Sequence, residues 1–327
     1  MASVHTDDGG HRQGGDTSLT DKLPYRDGNA LWAAVTARAT TESQATDVSA
    51  GVLLRRFVVD RFLARVFALP GNEWVLKGGN AVLTRVHDAR TTKDIDLLAE
   101  LGDLDAAVGR LRRAVEIDLN DHFRFVITGT RAAGGGTAQP DVEGYKVSID
   151  AYCGVKRREH FSVDLVTGSL MTTEPDIQTR PTLVPTVPPA QVRLYPVVDH
   201  IADKLCATQS TYGTAGDQPS SRVRDLVDLV VFARTQRVDG AELIEAITAE
   251  WTHRGLHGSP FFEPPAHWKR LYPAEARRVP ACGDVLTFAG AVELVTALLA
   301  PALDRSPNAQ HWSPETGAWT VAKPHHQ

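Results

Sequence analysis

Cysteine is scarce: Cys153, Cys206 and Cys282 are three isolated thiols in 327 residues, with neither metal-ligand spacing nor enough partners for a disulfide frame. That usage suits a reducing cytosol. No apolar run approaches the ~18–20 residues of a membrane span. The opening residues, MASVHTDDGGHRQGGDTSLTDKL, lack the apolar stretch of a signal peptide and have the polar, Gly- and Asp-rich composition of a disordered tail. The expectation is therefore a cytoplasmic protein without a membrane partner. Basic excess is missing too. With a formal net charge of −5, a nucleic-acid partner would have to meet a local patch. The twelve histidines fall singly or in the tails, and no Ser–His–acid arrangement stands out. His87 is expected to be structural.

What is present is an ordinary globular composition, 42% hydrophobic and 23% charged, long enough for one large domain or two of usual size. One stretch organises it, residues 76–98, LKGGNAVLTRVHDARTTKDIDLL. A short apolar run (Trp74, Val75, Leu76) leads into Gly78-Gly79, which opens a segment of helical character. A linker of basic and hydroxyl residues (Arg90, Thr91, Thr92, Lys93) then leads to Asp94-Ile95-Asp96 in a second apolar run. Strand alternation puts Asp94 and Asp96 on one face and turns Ile95 into the core. Two adjacent carboxylates repel, and a cation between them removes the conflict; paired divalent ions roughly 3.5–4 Å apart serve this purpose where phosphoryl groups are gripped. The Gly pair lets backbone N–H groups approach a phosphate, and the helix start behind it adds partial positive charge. A lone Asp-x-Asp is more often a solvated face, and a lone Gly-Gly a tight turn. Their order here points to a nucleotide and metal site.

Elsewhere, residues 29–40 and 46–69 carry apolar residues at helical spacing, the second ended by Pro70-Gly71. Residues 104–115 predict an amphipathic helix with Arg110, Arg112 and Arg113 on its polar side. Three alternating runs, 123–128, 145–152 and 160–166, predict strands, and Ala132-Ala133-Gly134-Gly135-Gly136 a flexible hairpin tip. The Pro- and Thr-rich stretch 174–187 predicts a domain boundary. Beyond it come helices at 197–208 and 222–234, a polar loop between them at 210–221, a helix at 241–251, the aromatic and Pro-rich segment SPFFEPPAHWKRLY, and a closing helix at 285–303. Lys204 lies in the first of these helices and Asp225 in the second. They read either as an internal ion pair joining two helices or as a cation for a triphosphate with an acid that orients it.

The strand, Gly-Gly, helix and Asp-x-Asp order looks like the opening signature of the DNA polymerase β-like nucleotidyltransferases. KGGNAVLTRV followed by RTTKDIDLL closely resembles the AbiEii/AbiGii-type (MenT-like) nucleotidyltransferase toxins, and DKL followed by RDLVDL resembles that family's second pair of motifs. FEPPAHWKRLY resembles its C-terminal segment, so the resemblance spans about residues 50–300. Asn80 departs from the small or hydroxyl residue usual after the Gly pair.

The resemblance implies an α+β fold, a mixed sheet flanked by helices and followed by a mainly helical C-terminal domain. The divisions expected are a disordered tail (1–25), a catalytic domain (26–175), a helical domain completing the active site (190–305) and a polar, mobile tail (306–327). It implies NMP transfer from an NTP with Mg²⁺ or Mn²⁺ held by Asp94, Asp96 and a third carboxylate. Asp164, in FSVDLV where the third strand is expected, is preferred for that place over Asp150. Asp94, Asp96, Lys204 and Asp225 would be catalytic; Gly78, Gly79, Asn80, Thr92, Lys93 and Lys204 would bind nucleotide. The acceptor implied is RNA, notably the tRNA 3′ end, and the cluster Arg110, Arg112, Arg113, Lys156, Arg157 and Arg158 supplies candidates for an RNA-facing patch, although residues 156–158 read equally as a solvated turn. A cognate antitoxin is implied, acting in some relatives on a hydroxyl residue near the first Asp, where Thr92 stands; a Thr92→Val protein silenced normally would contradict that role here. A monomer is expected. The alternatives are the same chemistry on a small molecule such as an antibiotic, or an inactive binding protein on the same fold.

Overall fold

A computed structural model of the protein describes residues 23–46, 48–69, 71, 73–100, 102–134, 143–212, 217–304 and 310–321. Helix α1 (Gly28–Ala45) starts where the Asp27 carboxylate accepts the Ala30 amide at 2.8 Å, and α2 (Ala50–Val66) starts at Ser49 in the same manner. Strand β1 (Trp74–Lys77) runs directly into α3 (Gly78–Arg85), and the linker returns as β2 (Ile95–Ala99), antiparallel to β1. Helix α4 (Leu104–Val115) has the ends its periodicity predicts. The three alternating runs lie within longer strands, β3 (Phe123–Gly134), β4 (Glu143–Cys153) and β5 (Lys156–Val166), joined as an antiparallel meander. The expected hairpin tip lies outside the described residues beyond Gly134.

Strand β5 then pairs with β2 in parallel. Strands β6 (Asp176–Thr179) and β7 (Gln191–Leu194) complete a seven-stranded mixed sheet, in the order β3-β4-β5-β2-β1-β7-β6. The Pro- and Thr-rich stretch is thus part of this sheet, which continues to residue 194. Its apolar residues Val184 and Val187 are buried, and Arg180 from it pairs with Asp60 of α2 at 2.6 Å.

The second lobe is mainly helical. Helix α5 (Val197–Gln209) is followed by a short ribbon, β8 (Thr211–Tyr212) with β9 (Gln218–Pro219), then by α6 (Val223–Thr235) and β10 (Val238–Asp239). Helix α7 (Gly240–His253) packs on α5, while α8 (Trp268–Ala276) and α9 (Phe288–Asp304) pack on α6, which is apolar on most sides; α9 also packs on α7. A hairpin, β11 (Gln310–Ser313) and β12 (Ala318–Val321), adds to β10.

One face of the large sheet is apolar, with Ile95, Leu97, Val147, Ile149, Val163 and Leu165 all buried against α1, α2 and α4. Each such side chain contributes about 1.5–3 kcal/mol on burial, and alternation leaves Asp96, Lys146 and Asp164 on the opposite face. A second core lies among α5–α9 and takes in Val82, Leu83 and Val86 of α3. Helix α3 therefore belongs to both cores, and ties the lobes together at the site. The fold is α+β: a mixed sheet with flanking helices, then a helical lobe.

Two expectations about the ends need correction. Within the tail expected over residues 1–25, Leu23 is buried and the Tyr25 hydroxyl bonds Thr186 at 2.9 Å, while residues 1–22 lie outside the described part. Residues 310–321 form a packed hairpin where a mobile polar tail is expected. Its anchor is Trp312, fully buried, whose indole N–H donates to the Ala233 carbonyl at 2.7 Å. An aromatic of this size with its polar atom satisfied holds a short strand well. Among the described residues no helix is long and apolar enough to cross a membrane.

Candidate active site

The polar face of the sheet, the first turn of α3, the middle of α5 and the start of α6 line a cavity of about 660 Å³. A row of charge crosses its floor. Lys77 on β1 lies opposite Asp96 on β2, Asp96 beside Asp164 on β5, and Asp164 opposite Lys146 on β4. The two middle carboxylates stand side by side. Burial, and next the Asp164 charge, push the Asp96 carboxyl up to about 6. Asp94, at the end of the linker, completes the acidic group.

Gly78 is required where it stands. Its φ is +59°, and a Cβ built there would collide with the Asp96 carboxylate. Gly79 is nearly as tight, its virtual Cβ lying 2.9 Å from Cβ of Thr92. Both glycines line the cavity, and the N–H groups of a first helical turn lack partners within their own helix. Gly78→Ala is expected to displace Asp96 and to lower nucleotidyl transfer by about 10²-fold. Steady-state rates together with the circular dichroism of the purified variant test this; a variant of wild-type activity would contradict the close approach.

Alternation sorts the linker. Arg90, Thr92, Asp94 and Asp96, every second residue, line the cavity. Lys93 falls on the other side: it is exposed, its carbonyl accepts from Arg55 at 2.8 Å, and its side chain does not reach the cavity. Asn80 is also placed differently from the phosphate contact expected. It is buried, and its Nδ2 donates to the Asp94 carbonyl at 2.8 Å, which fixes the backbone that carries the first carboxylate.

From the helical lobe, Lys204 of α5 reaches the cavity with only 3% of the residue exposed. Its Nζ lies 3.1 Å from Asp225 and 2.6 Å from Asp228, both on α6. The ion-pair and the cavity-facing readings of Lys204 therefore hold together. Asp228 is fully buried and also receives Arg90 through two bonds, at 2.8 and 3.0 Å. It links the linker of one lobe to both helices of the other. Burial pulls the Asp228 carboxyl upward, but Lys204 and Arg90 prevail and hold it down to about 2.

Asp164 and Asp150 are separated by the register. Asp164 lines the cavity beside Asp96, whereas Asp150 lies further along β4, bonded to His160 at 2.7 Å and Arg157 at 3.2 Å. Sequence reasoning missed Lys77, Lys146 and Asp228. Asp228 had a legible signal: with Asp225 it forms an i,i+3 acidic pair on an apolar helix. None of the six basic residues expected to face RNA lines the cavity. Arg110 pairs with Glu73, and Arg158 lies 4.5 Å from the centre of the Trp32 ring. Arg222 and Arg224 line the mouth instead, the Arg224 side chain 63% exposed.

A divalent cation suits this donor set. Asp94, Asp96 and Asp164 border the cavity from the sheet side and its linker, and the Asp96 carboxyl is raised first by burial and next by the Asp164 charge. Among the described residues no three His, Cys, Asp or Glu side chains converge as a finished metal cluster. Lys146 draws two of the acids toward itself, 3.1 Å from Asp164 and 3.5 Å from Asp94.

The family model described as nucleotidyl transferase AbiEii toxin, type IV toxin–antitoxin system, matches residues 61–305. The chain belongs to this family. It is a nucleotidyltransferase of the AbiEii toxin type, as its motifs imply. Solved structures resemble it at low identity. MenT4, a nucleotidyltransferase toxin from Mycobacterium tuberculosis H37Rv, is 16% identical, with a TM-score of 0.46 over 82% of this chain and 98% of that one. JHP933 from Helicobacter pylori is 14% identical, with a TM-score of 0.41 over 79% of this chain and 95% of that one. No curated protein matches the chain. The matched span runs from Arg61, within α2, through α9, and so includes every cavity residue named above.

Proposed function

We infer that this AbiEii-type nucleotidyltransferase transfers NMP from an NTP to an RNA acceptor, with a divalent cation held by Asp94, Asp96 and Asp164. The observation that carries this reading is the cross-strand pairing of Asp96 with Asp164, facing the glycine turn of α3 and opposite Lys204. Bound there, the cation would supply charge stabilisation to the phosphate oxygens. Gly78 and Gly79 present N–H groups to the β- and γ-phosphates, and Lys204 offsets the charge that builds on the leaving pyrophosphate. Asp225 and Asp228 hold Lys204 in position, and Asp228 aligns Arg90 with it. Phosphoryl chemistry asks for positioning and electrostatics more than for covalent help, and these residues are placed to provide both.

Arg222 and Arg224, partly exposed in the cavity lining and paired there with Asp225 and Glu275, favour a polyanionic acceptor over a cationic small molecule. RNA is the acceptor in this proposal, tRNA foremost, and a cytoplasmic site of action accords with three free, buried cysteines. An antitoxin is the partner expected. Thr92, packed against Gly79, is where a phosphate would place negative charge at the nucleotide entrance.

The test incubates the purified protein with total RNA, Mg²⁺ and each α-labelled NTP in turn. Label entering RNA is expected, and Arg224→Glu should raise KM for RNA about tenfold while leaving KM for NTP unchanged. Label absent from RNA but present on an aminoglycoside would replace the RNA reading by the small-molecule one.

A further inference from the structure

The charge row on the sheet, Lys77–Asp96–Asp164–Lys146, has unlike ends. Lys77 is bonded elsewhere, although its charge still acts on Asp96. Its Nζ donates to Ser169 Oγ at 2.9 Å and lies 4.0 Å from the centre of the Tyr195 ring. Lys146 turns inward and stands between two carboxylates from different strands, 3.1 Å from Oδ1 of Asp164 and 3.5 Å from Oδ1 of Asp94. The register brings it there: Lys146 is the cross-strand partner of Asp164.

We propose that Lys146 is a resident cation of the carboxylate cluster, which a divalent ion must displace and which therefore sets the affinity for that ion. The inference rests on the metal-binding reading of Asp94, Asp96 and Asp164. Without Lys146, Asp94 and Asp164 would lose the ammonium that stands between them, leaving the cluster to the cations nearer Asp96, namely Lys204, Lys77 and Arg90; carboxylates gathered in this way repel strongly wherever water is partly excluded. The ammonium answers that repulsion at once. It is also able to leave. The Lys146 side chain is 23% exposed, and the packing of β4 is carried by Val147 and Ile149 on the other face, so the flexible stem can swing its charge outward without disturbing the core. Two charges on a small ion outcompete one on a lysine when the ion is abundant. At low ion concentration the lysine holds Asp94 and Asp164 in place. The same contact costs affinity, because entry of the ion requires two ion pairs to break.

The test is a Mn²⁺ titration followed by electron paramagnetic resonance on wild type, Lys146→Met, Lys146→Gln and Lys146→Arg, with thermal unfolding in EDTA and in saturating Mn²⁺. Lys146→Met and Lys146→Gln are expected to bind Mn²⁺ at least about tenfold more tightly than wild type. They should melt below wild type in EDTA and gain more from Mn²⁺, while Lys146→Arg stays near wild type. Binding no tighter than that of wild type in both neutral variants would overturn the role of Lys146 and leave the metal site standing. Absence of binding in wild type and all variants would overturn the metal reading, and this inference with it.

Discussion

Asp96→Asn is expected to abolish nucleotidyl transfer and to make the protein more stable. The loss of activity should be at least about 10³-fold, since the residue stands where charge develops and no neighbour can replace it. The gain in stability follows from the carboxyl pushed up to about 6 by burial and by Asp164. An unfolded aspartate titrates near 3.9. Between about 4 and 6 the folded state binds more protons, so stability falls as pH rises through that window and stays lowered above it. A shift of this size corresponds to about 1–3 kcal/mol at neutral pH, once water near the partly exposed side chain is allowed for. Asparagine has no charge to penalise. Urea unfolding of both proteins at pH 7.5 should show the variant ahead, and the difference should shrink as pH is lowered from 6 to 4. A variant that is both active and less stable would refute the placement of Asp96 as a buried carboxylate beside Asp164.

Asp228→Asn should act in the opposite sense on stability. This residue, fully buried, is bonded to Arg90 and Lys204 at 2.6–3.0 Å. Its removal takes the carboxylate from Arg90 and leaves Lys204 with Asp225 as its remaining ion-pair partner, and breaking a buried pair in this way costs about 3–5 kcal/mol. The sign of its pH dependence is the ordinary one for an acid held low. The folded value, about 2, lies below the unfolded one, so its contribution is present above roughly pH 4 and lost as pH falls through 4 toward 2. Transfer should fall by about 10² or more, because Lys204 and Arg90 both lose their alignment. Adding Lys204→Met to Asp228→Asn should cost less than the two single effects summed, since Lys204 has by then already lost its shorter ion pair. The double-mutant cycle read by urea unfolding measures that coupling. Simple additivity of the two single effects would show that the contact carries no mutual stabilisation.

The local parts of the site are legible in the chain because they obey local rules. The glycine pair after an apolar run marks the strand-to-helix turn, and period-two alternation puts Arg90, Thr92, Asp94 and Asp96 on one side. That same alternation turns Lys93 to the other side from Thr92. What stays hidden depends on pairing across the sheet. Nothing near Lys146 in the sequence says that β4 lies beside β5 in a register that brings it to Asp164. Strand β6 and the buried valines at 184 and 187 were concealed by proline and threonine, which resemble a linker when the sheet edge they join is unknown. Asn80 illustrates a different limit. Its position after Gly79 suggested a phosphate donor, but its amide is used by the Asp94 carbonyl. Composition around Trp312 and Trp319 looks polar on average, although each indole N–H finds a backbone carbonyl in the helical lobe.

The most direct test of nucleotidyl transfer at this cavity uses one NTP labelled on either its α- or its γ-phosphate, with wild type and Asp96→Asn side by side. The α-label should enter the acceptor, the γ-label should leave as pyrophosphate, and Asp96→Asn should give neither. Entry of the γ-label into the acceptor, or full transfer by Asp96→Asn, would contradict this account of the site.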